Sequence, residues 1–91
     1  MEYSLIYSKI ATAGLKKLRL SEPKAYKKAK LLIEELKIHP KTGLGQPEEL
    51  KGNLSGQWSR RISRKHRLVY SIQEQQITVL ILTSYGHYND N

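Results

Sequence analysis

At 91 residues the chain lies near the small end of what can bury one adequate hydrophobic core, so a single domain spanning 1–91 is expected. Sixteen Lys and Arg against eight acids give a net charge of +8, which draws in polyanions and makes nucleic acid the leading class of partner. The absence of cysteine excludes a disulfide framework and a thiolate zinc site and suits a reducing cytoplasm, while no apolar run of about 18 residues, lipidation motif or secretory leader directs the chain to a membrane or out of the cell.

Residues 2 to 7 place Tyr3, Leu5 and Tyr7 on one side, the alternation of a short strand. Ser8 is a suitable N-cap for a first helix to about Leu20, although Thr12 and Gly14 weaken it. Ser21-Glu22-Pro23 reads as a cap followed by an N1 proline. Ala25, Ala29, Leu32, Ile33 and Leu36 then recur at helical spacing up to about Ile38. The other face of this second helix carries Lys24, Lys27, Lys28 and Lys30, either a rail for RNA or, more simply, a solvated basic face. Two glycines and two prolines between His39 and Pro47 stop the helical pattern and impose a loop. Three strand-like runs follow: Glu49 to Leu54 merging through Ser55-Gly56 into Trp58 to Ser63, His66 to Gln73, and Gln76 to Ser84. The last is apolar on both sides, the pattern of a central strand covered on two faces. The order β-α-α-β-β-β predicts an α+β domain with two N-terminal helices packed on a mainly antiparallel twisted sheet.

Between Glu49 and Glu74 the chain has no acid but carries Lys51, Arg60, Arg61, Arg64, Lys65 and Arg67, interrupted by Trp58 and Tyr70. Trp58 and Ile62 must share one face of their strand, as must Leu68, Tyr70 and Ile72 on the next. A turn centred on Arg64 satisfies both, setting Trp58 opposite Tyr70 and, on the reverse face, Arg61 opposite Arg67. Like charges facing across a sheet destabilise it unless an anion or a carboxylate lies between them, and a phosphate fits. A ribonuclease that works without metal must deprotonate a ribose 2′-hydroxyl, stabilise the charged phosphorane and protonate the departing 5′-oxygen. Glu48 or Glu49 can supply the base, Arg61, Arg67 and Lys51 the anion clamp, and a histidine the acid. His87 is best placed, directly after a central strand and flanked by Tyr85 and Tyr88, which can stack on bases. His39 reads as a helix C-cap, and His66, in parity with Leu68 and Tyr70, as a structural residue.

The stretch from Pro47-Glu48-Glu49-Leu50-Lys51-Gly52-Asn53-Leu54-Ser55-Gly56-Gln57-Trp58-Ser59-Arg60-Arg61-Ile62 through His66-Arg67-Leu68-Val69-Tyr70 to Gly86-His87-Tyr88 resembles the YoeB/Txe branch of the RelE-type toxins, within the RelE/ParE superfamily. The resemblance is dense over residues 40 to 88 and rests on element order in the helices before it. It implies a microbial-ribonuclease-like α+β sheet and the toxin of a type II toxin-antitoxin pair. It also implies an endoribonuclease that cuts messenger RNA in the 30S decoding site without metal or other cofactor, leaving a cyclic or 3′-phosphate end. By residue, it puts the general base on Glu48, with Glu49 a bystander, the phosphate-stabilising arginine on Arg67, the general acid on His87 and a substrate-orienting tyrosine on Tyr88. Lys51 and Arg61 become supporting cations, with Arg60 and Trp58 of the same stretch read as RNA-contacting. The implied partners are an acidic YefM/Axe-like antitoxin whose disordered tail folds over the basic face, operator DNA bound as the pair, and a second copy in a homodimer. Gly86 departs from a Tyr-His-Tyr ending, so Tyr85 receives no catalytic role. Two alternatives stand beside this reading: a gyrase-poisoning toxin on the same scaffold, against which Glu48, His87 and Tyr88 argue, and a module that grips nucleic acid electrostatically and catalyses nothing.

Overall fold

A computed structural model describes residues 2–52, 56–76 and 78–86. The chain runs β1 (Ser4–Tyr7), α1 (Lys9–Ser21), α2 (Pro23–Leu36), β2 (Glu48–Glu49), β3 (Gln57–Arg61), β4 (Arg67–Gln73) and β5 (Thr78–Thr83), with a 3-10 turn at Glu74–Gln76 before the last strand. The five strands form one sheet in the order β1-β5-β4-β3-β2, in which β1 runs parallel to β5 and every other pair is antiparallel. The two helices cover one face of it, the α+β arrangement the sequence predicts, with one strand more.

Ser8 turns β1 into α1. Its hydroxyl accepts from the Ala11 N–H at 2.9 Å, as an N-cap does, and donates to the Leu82 carbonyl at 2.6 Å, which fixes the start of α1 on β5. Ser21, expected to cap α2, instead closes α1 by donating its hydroxyl to the Lys17 carbonyl. Glu22 is the residue between the helices: its N–H caps α1 on Leu18, and Pro23 opens α2 behind it with no side-chain cap. The carboxylate of Glu22 is committed elsewhere, to His66. The core lies between helices and sheet, where Ala11, Leu18, Ala29, Leu32 and Leu36 meet Leu68, Tyr70, Val79 and Ile81, all without solvent exposure. Each large apolar member contributes roughly 1.5–3 kcal/mol by leaving water.

β5 is central, as expected, but a second layer does not cover it on both faces. Val79 and Ile81 lie under the helices, while Leu80 and Leu82 on the other side are only half-buried. Of the run expected from Glu49 to Leu54, the described part forms strand only at Glu48–Glu49, after which the Leu50 N–H donates to the Gln57 carbonyl and its side chain is buried; Asn53 and Leu54 lie outside the described residues.

Arg60 departs most from expectation. It alternates with Arg61, so its side chain enters the helix side of the sheet, where it is fully buried and unable to contact RNA. There its guanidinium donates to the Glu35 carboxylate, to the carbonyls of His39, Thr42 and Leu44, and to the Tyr70 hydroxyl, which itself donates to the Pro40 carbonyl. Glu35 also accepts the Leu44 N–H at 2.7 Å. One cation therefore ties the loop after α2 to the sheet.

Burial pushes the Glu35 carboxyl up, but the Leu44 N–H and the Arg60 guanidinium outweigh it and hold the group below the ordinary carboxylate range. A depressed folded-state value adds stability that is present above the unfolded pKa of about 4.3 and is lost as pH falls through the folded value. Acidification below about pH 4.3 should therefore shrink the stability difference between the wild type and Glu35→Gln, as followed by urea unfolding at stepped pH. At pH 7, Arg60→Met should cost about 3 kcal/mol, because it leaves the partly buried Glu35 carboxylate and three loop carbonyls without their donor.

Candidate active site on the open face of the sheet

The register sorts the charged residues by face. Glu48 pairs with Ser59 and Glu49 with Trp58, while Ser59 pairs with Val69, Trp58 with Tyr70 and Arg61 with Arg67. Both pairings expected from hairpin parity, Trp58 with Tyr70 and Arg61 with Arg67, are present. Because side chains alternate along a strand, Glu48, Ser59, Arg61 and Arg67 share the face turned away from the helices. Glu49 and Trp58 belong to the opposite face, and Trp58 packs against the core cluster there. It therefore does not stand beside the arginine pair as an RNA-stacking surface.

On that face the Arg67 guanidinium lies 3.5 Å from a Glu48 carboxylate oxygen and 3.5 Å from the hydroxyl of Ser59, which is itself fully buried, so the exposed part of the face lies at Glu48 and Arg61. The Glu48 side chain is half-exposed and that of Arg67 mostly covered, so the pair meets water and contributes little to stability. Arg61 is exposed across the strand from Arg67. Lys51 is exposed two residues beyond the end of β2. Arg61 also lines, with Lys28, Gln46, Ser63 and Arg64, an open cleft of about 370 Å³ between α2 and the β3–β4 turn, so the positive lining continues beyond the sheet. Ser59 is the residue sequence reading missed. The signal for it is its alternation with Arg61, which sets it on the arginine face between Glu48 and Arg67.

His87 and Tyr88 lie outside the described residues. The segment leading to them is described and is tightly held. The Ser84 hydroxyl donates to the Ala11 carbonyl at 2.6 Å, the Tyr85 ring lies against the His66 ring with centroids 4.3 Å apart, and the Gly86 carbonyl accepts the Arg67 N–H at 2.9 Å. The described chain thus ends hydrogen-bonded to the backbone of Arg67. His66 is buried and bonded within the fold, the structural role its parity implies, and His39 is exposed past the end of α2 with its carbonyl on Arg60. Among the described residues no three His, Asp or Glu side chains gather as metal ligands. A carboxylate beside two guanidinium groups on an open face can hold a phosphodiester against the cations and put a proton acceptor next to it.

Comparison with known proteins agrees with this architecture. A YoeB/ParE toxin from Agrobacterium tumefaciens superimposes with a TM-score of 0.86 at 30% identity, over 93% of this chain and 99% of that one. The toxin in a YoeB-YefM complex from Staphylococcus aureus gives 0.80 at 31% identity, over 97% and 100%. A Toxin YoeB from Synechocystis is 46% identical over 68 residues, 75% of this chain and 77% of its own. The fold is that of the YoeB/RelE-type toxins. Residues 8–88 match the family described as YoeB-like toxin of bacterial type II toxin-antitoxin system, and the chain belongs to that family.

The exit of the chain from β5 depends on close packing against α1. A Cβ on Gly14 would come within 2.6 Å of the Ser84 hydroxyl and 2.9 Å of the Tyr85 Cβ. Overpacking costs about 1–3 kcal/mol and alanine returns about 1 kcal/mol of helix propensity, so Gly14→Ala should lower global stability by at most about 2 kcal/mol. Its main effect should be local: hydrogen exchange should show lost protection at the Gly86 amide, with the α2 amides unchanged.

Proposed function

We propose that this toxin is a metal-independent endoribonuclease that cleaves messenger RNA on the ribosome in the cytoplasm and so stops translation. The observation that carries the reading is the convergence of Glu48 and Arg67 on the open face, with Arg61 across the strand and the chain to His87 anchored on Arg67. Glu48 takes the proton of a ribose 2′-hydroxyl, whose oxygen attacks the adjacent phosphorus. Arg67, supported by Arg61 and Lys51, binds the non-bridging oxygens as charge accumulates on the phosphorane. His87 donates a proton to the 5′-oxygen as the P–O bond breaks, leaving a cyclic phosphate on one fragment and a 5′-hydroxyl on the other, and Tyr88 orients the substrate. The resting contact between Glu48 and Arg67 fits this sequence, because an incoming phosphate competes for the guanidinium and leaves the carboxylate for the hydroxyl.

The partner that silences the chain is an acidic antitoxin of the YefM/Axe kind, supported by the Staphylococcus aureus relative solved with YefM and by the charge of +8. A dimer of a Staphylococcus aureus YoeB supports self-association, and operator DNA is then engaged by the toxin-antitoxin pair, chiefly through the antitoxin.

Purified ribosomes programmed with a defined message separate this reading from a binding module. Wild type should produce cleaved message, Glu48→Gln and His87→Ala should slow cleavage by about 10²–10⁴-fold, and Arg67→Ala should do at least as much. Equal ribosome footprints with uncut message from wild type and all three variants would leave only electrostatic binding.

A further inference from the structure

His66 takes no part in the chemistry just described, yet it is 3% exposed and bonded through both ring nitrogens. The Gly86 backbone N–H points at Nδ1, 2.9 Å away, and Nε2 lies 2.7 Å from a Glu22 carboxylate oxygen. An amide N–H can only donate, so Nδ1 is the bare nitrogen, and Nε2 carries the hydrogen that Glu22 accepts. The backbone of His66 is fixed as well: its carbonyl accepts from the N–H groups of Ile62 and Ser63, and its own N–H donates to the Ser63 hydroxyl. The ring is therefore held by the β3–β4 turn on one side and the α1–α2 junction on the other. The group it grips is the last described residue before His87. Both polar atoms of Gly86 are taken up by consecutive residues, the N–H by the His66 ring and the carbonyl by the Arg67 N–H. Gly86 holds a φ of +79°, a conformation that residues with a side chain rarely adopt, so this grip fixes a turn that would otherwise have many alternatives. Tyr85, its ring tilted against the His66 ring and with the Lys17 ammonium 5.1 Å from its centroid, completes the hold.

We infer that His66 is a positioning residue: by accepting the Gly86 N–H on Nδ1 it fixes, beside Arg67, the point from which the segment carrying the proposed acid His87 starts. The inference rests on the ribonuclease reading above. It extends that reading by assigning a role to a buried histidine and to the glycine that interrupts the Tyr-His-Tyr ending.

Two substitutions divide the ring's functions. Asparagine puts its Oδ1 where Nδ1 stands and keeps an acceptor for Gly86, whereas glutamine puts its Nε2 near the ring Nε2 and keeps only the bond to Glu22. Single-turnover and steady-state cleavage on programmed ribosomes, thermal melting and exchange of the Gly86 amide should be measured for both. For His66→Gln, kcat should fall by about 10–100-fold with KM within about twofold and little change in melting temperature, and protection at the Gly86 amide should be lost. His66→Asn should keep that protection and a kcat within about threefold of wild type. Equal kcat in the two variants, or a kcat loss that follows the melting temperature in both, overturns the positioning role. Wild type that cuts nothing defeats the ribonuclease reading and this role with it, while exchange at Gly86 still reports separately whether His66 holds the turn.

Discussion

A fully buried guanidinium is costly unless every N–H finds an acceptor, and the shape of this molecule follows from how Arg60 meets that condition. One carboxylate, three loop carbonyls and a tyrosine hydroxyl are drawn around it. Those carbonyls belong to residues 39–44, a glycine- and proline-containing segment with no regular structure of its own. Once it is bound to Arg60, the chain emerges at Glu48 in a fixed position beside β3. Two residues then suffice for β2, because backbone bonds to β3 flank it on either side, from the Arg61 N–H to the Gly45 carbonyl and from the Leu50 N–H to the Gln57 carbonyl. The exposed carboxylate at the site thus depends on a buried cation on the other face of the sheet.

A second hold acts at the far end of the chain. Ser84 on Ala11, the bare surface of Gly14 and the His66–Gly86 bond fix the segment after β5 against α1 and the β3–β4 turn. The two holds use different elements but converge on Arg67: Glu48 reaches its guanidinium from the edge strand, and Gly86 reaches its backbone from the end of the sheet. Arg67 itself opens β4, which pairs with β3 on one side and β5 on the other. Each loop is bound to the sheet close to where it ends, one before Glu48 and the other at Gly86, the last described residue, which is the placement the proposed chemistry requires.

Alternation within the hairpin makes much of this legible in the sequence. Trp58 and Ile62 on one strand and Leu68, Tyr70 and Ile72 on the next admit few registers, which is why the facing of Arg61 and Arg67 can be read before any coordinates. The same alternation assigns His66 to the interior and applies equally to Arg60, which falls between Trp58 and Ile62. A cluster of cations reads as a surface patch, however, and the carboxylate and carbonyls that make burial tolerable are 16 to 25 residues away in sequence. No local pattern announces them. The choice between Glu48 and Glu49 stays open at the level of the residues for a related reason: a two-residue strand has no periodicity to read, and only its pairing with Ser59 and Trp58 separates the faces. The helices are plainer, since Ser8 and Pro23 mark their starts chemically. The cap expected at Ser21 fails because its hydroxyl has a carbonyl of its own helix within reach.

The facing arginines also constrain what the open face is for. Arg61 and Arg67 are direct cross-strand neighbours, an arrangement that costs stability in an empty sheet. Glu48 offsets it only weakly, at 3.5 Å and half in water. Counting these three side chains, two positive charges and one negative leave a local charge of +1. A phosphodiester carries one negative charge, and on the proposed reading it competes with the carboxylate for the Arg67 guanidinium. A binding surface needs only the cations. A carboxylate on the same face weakens attraction to RNA, so affinity alone does not account for Glu48, and this is the ground on which its proposed role as proton acceptor stands.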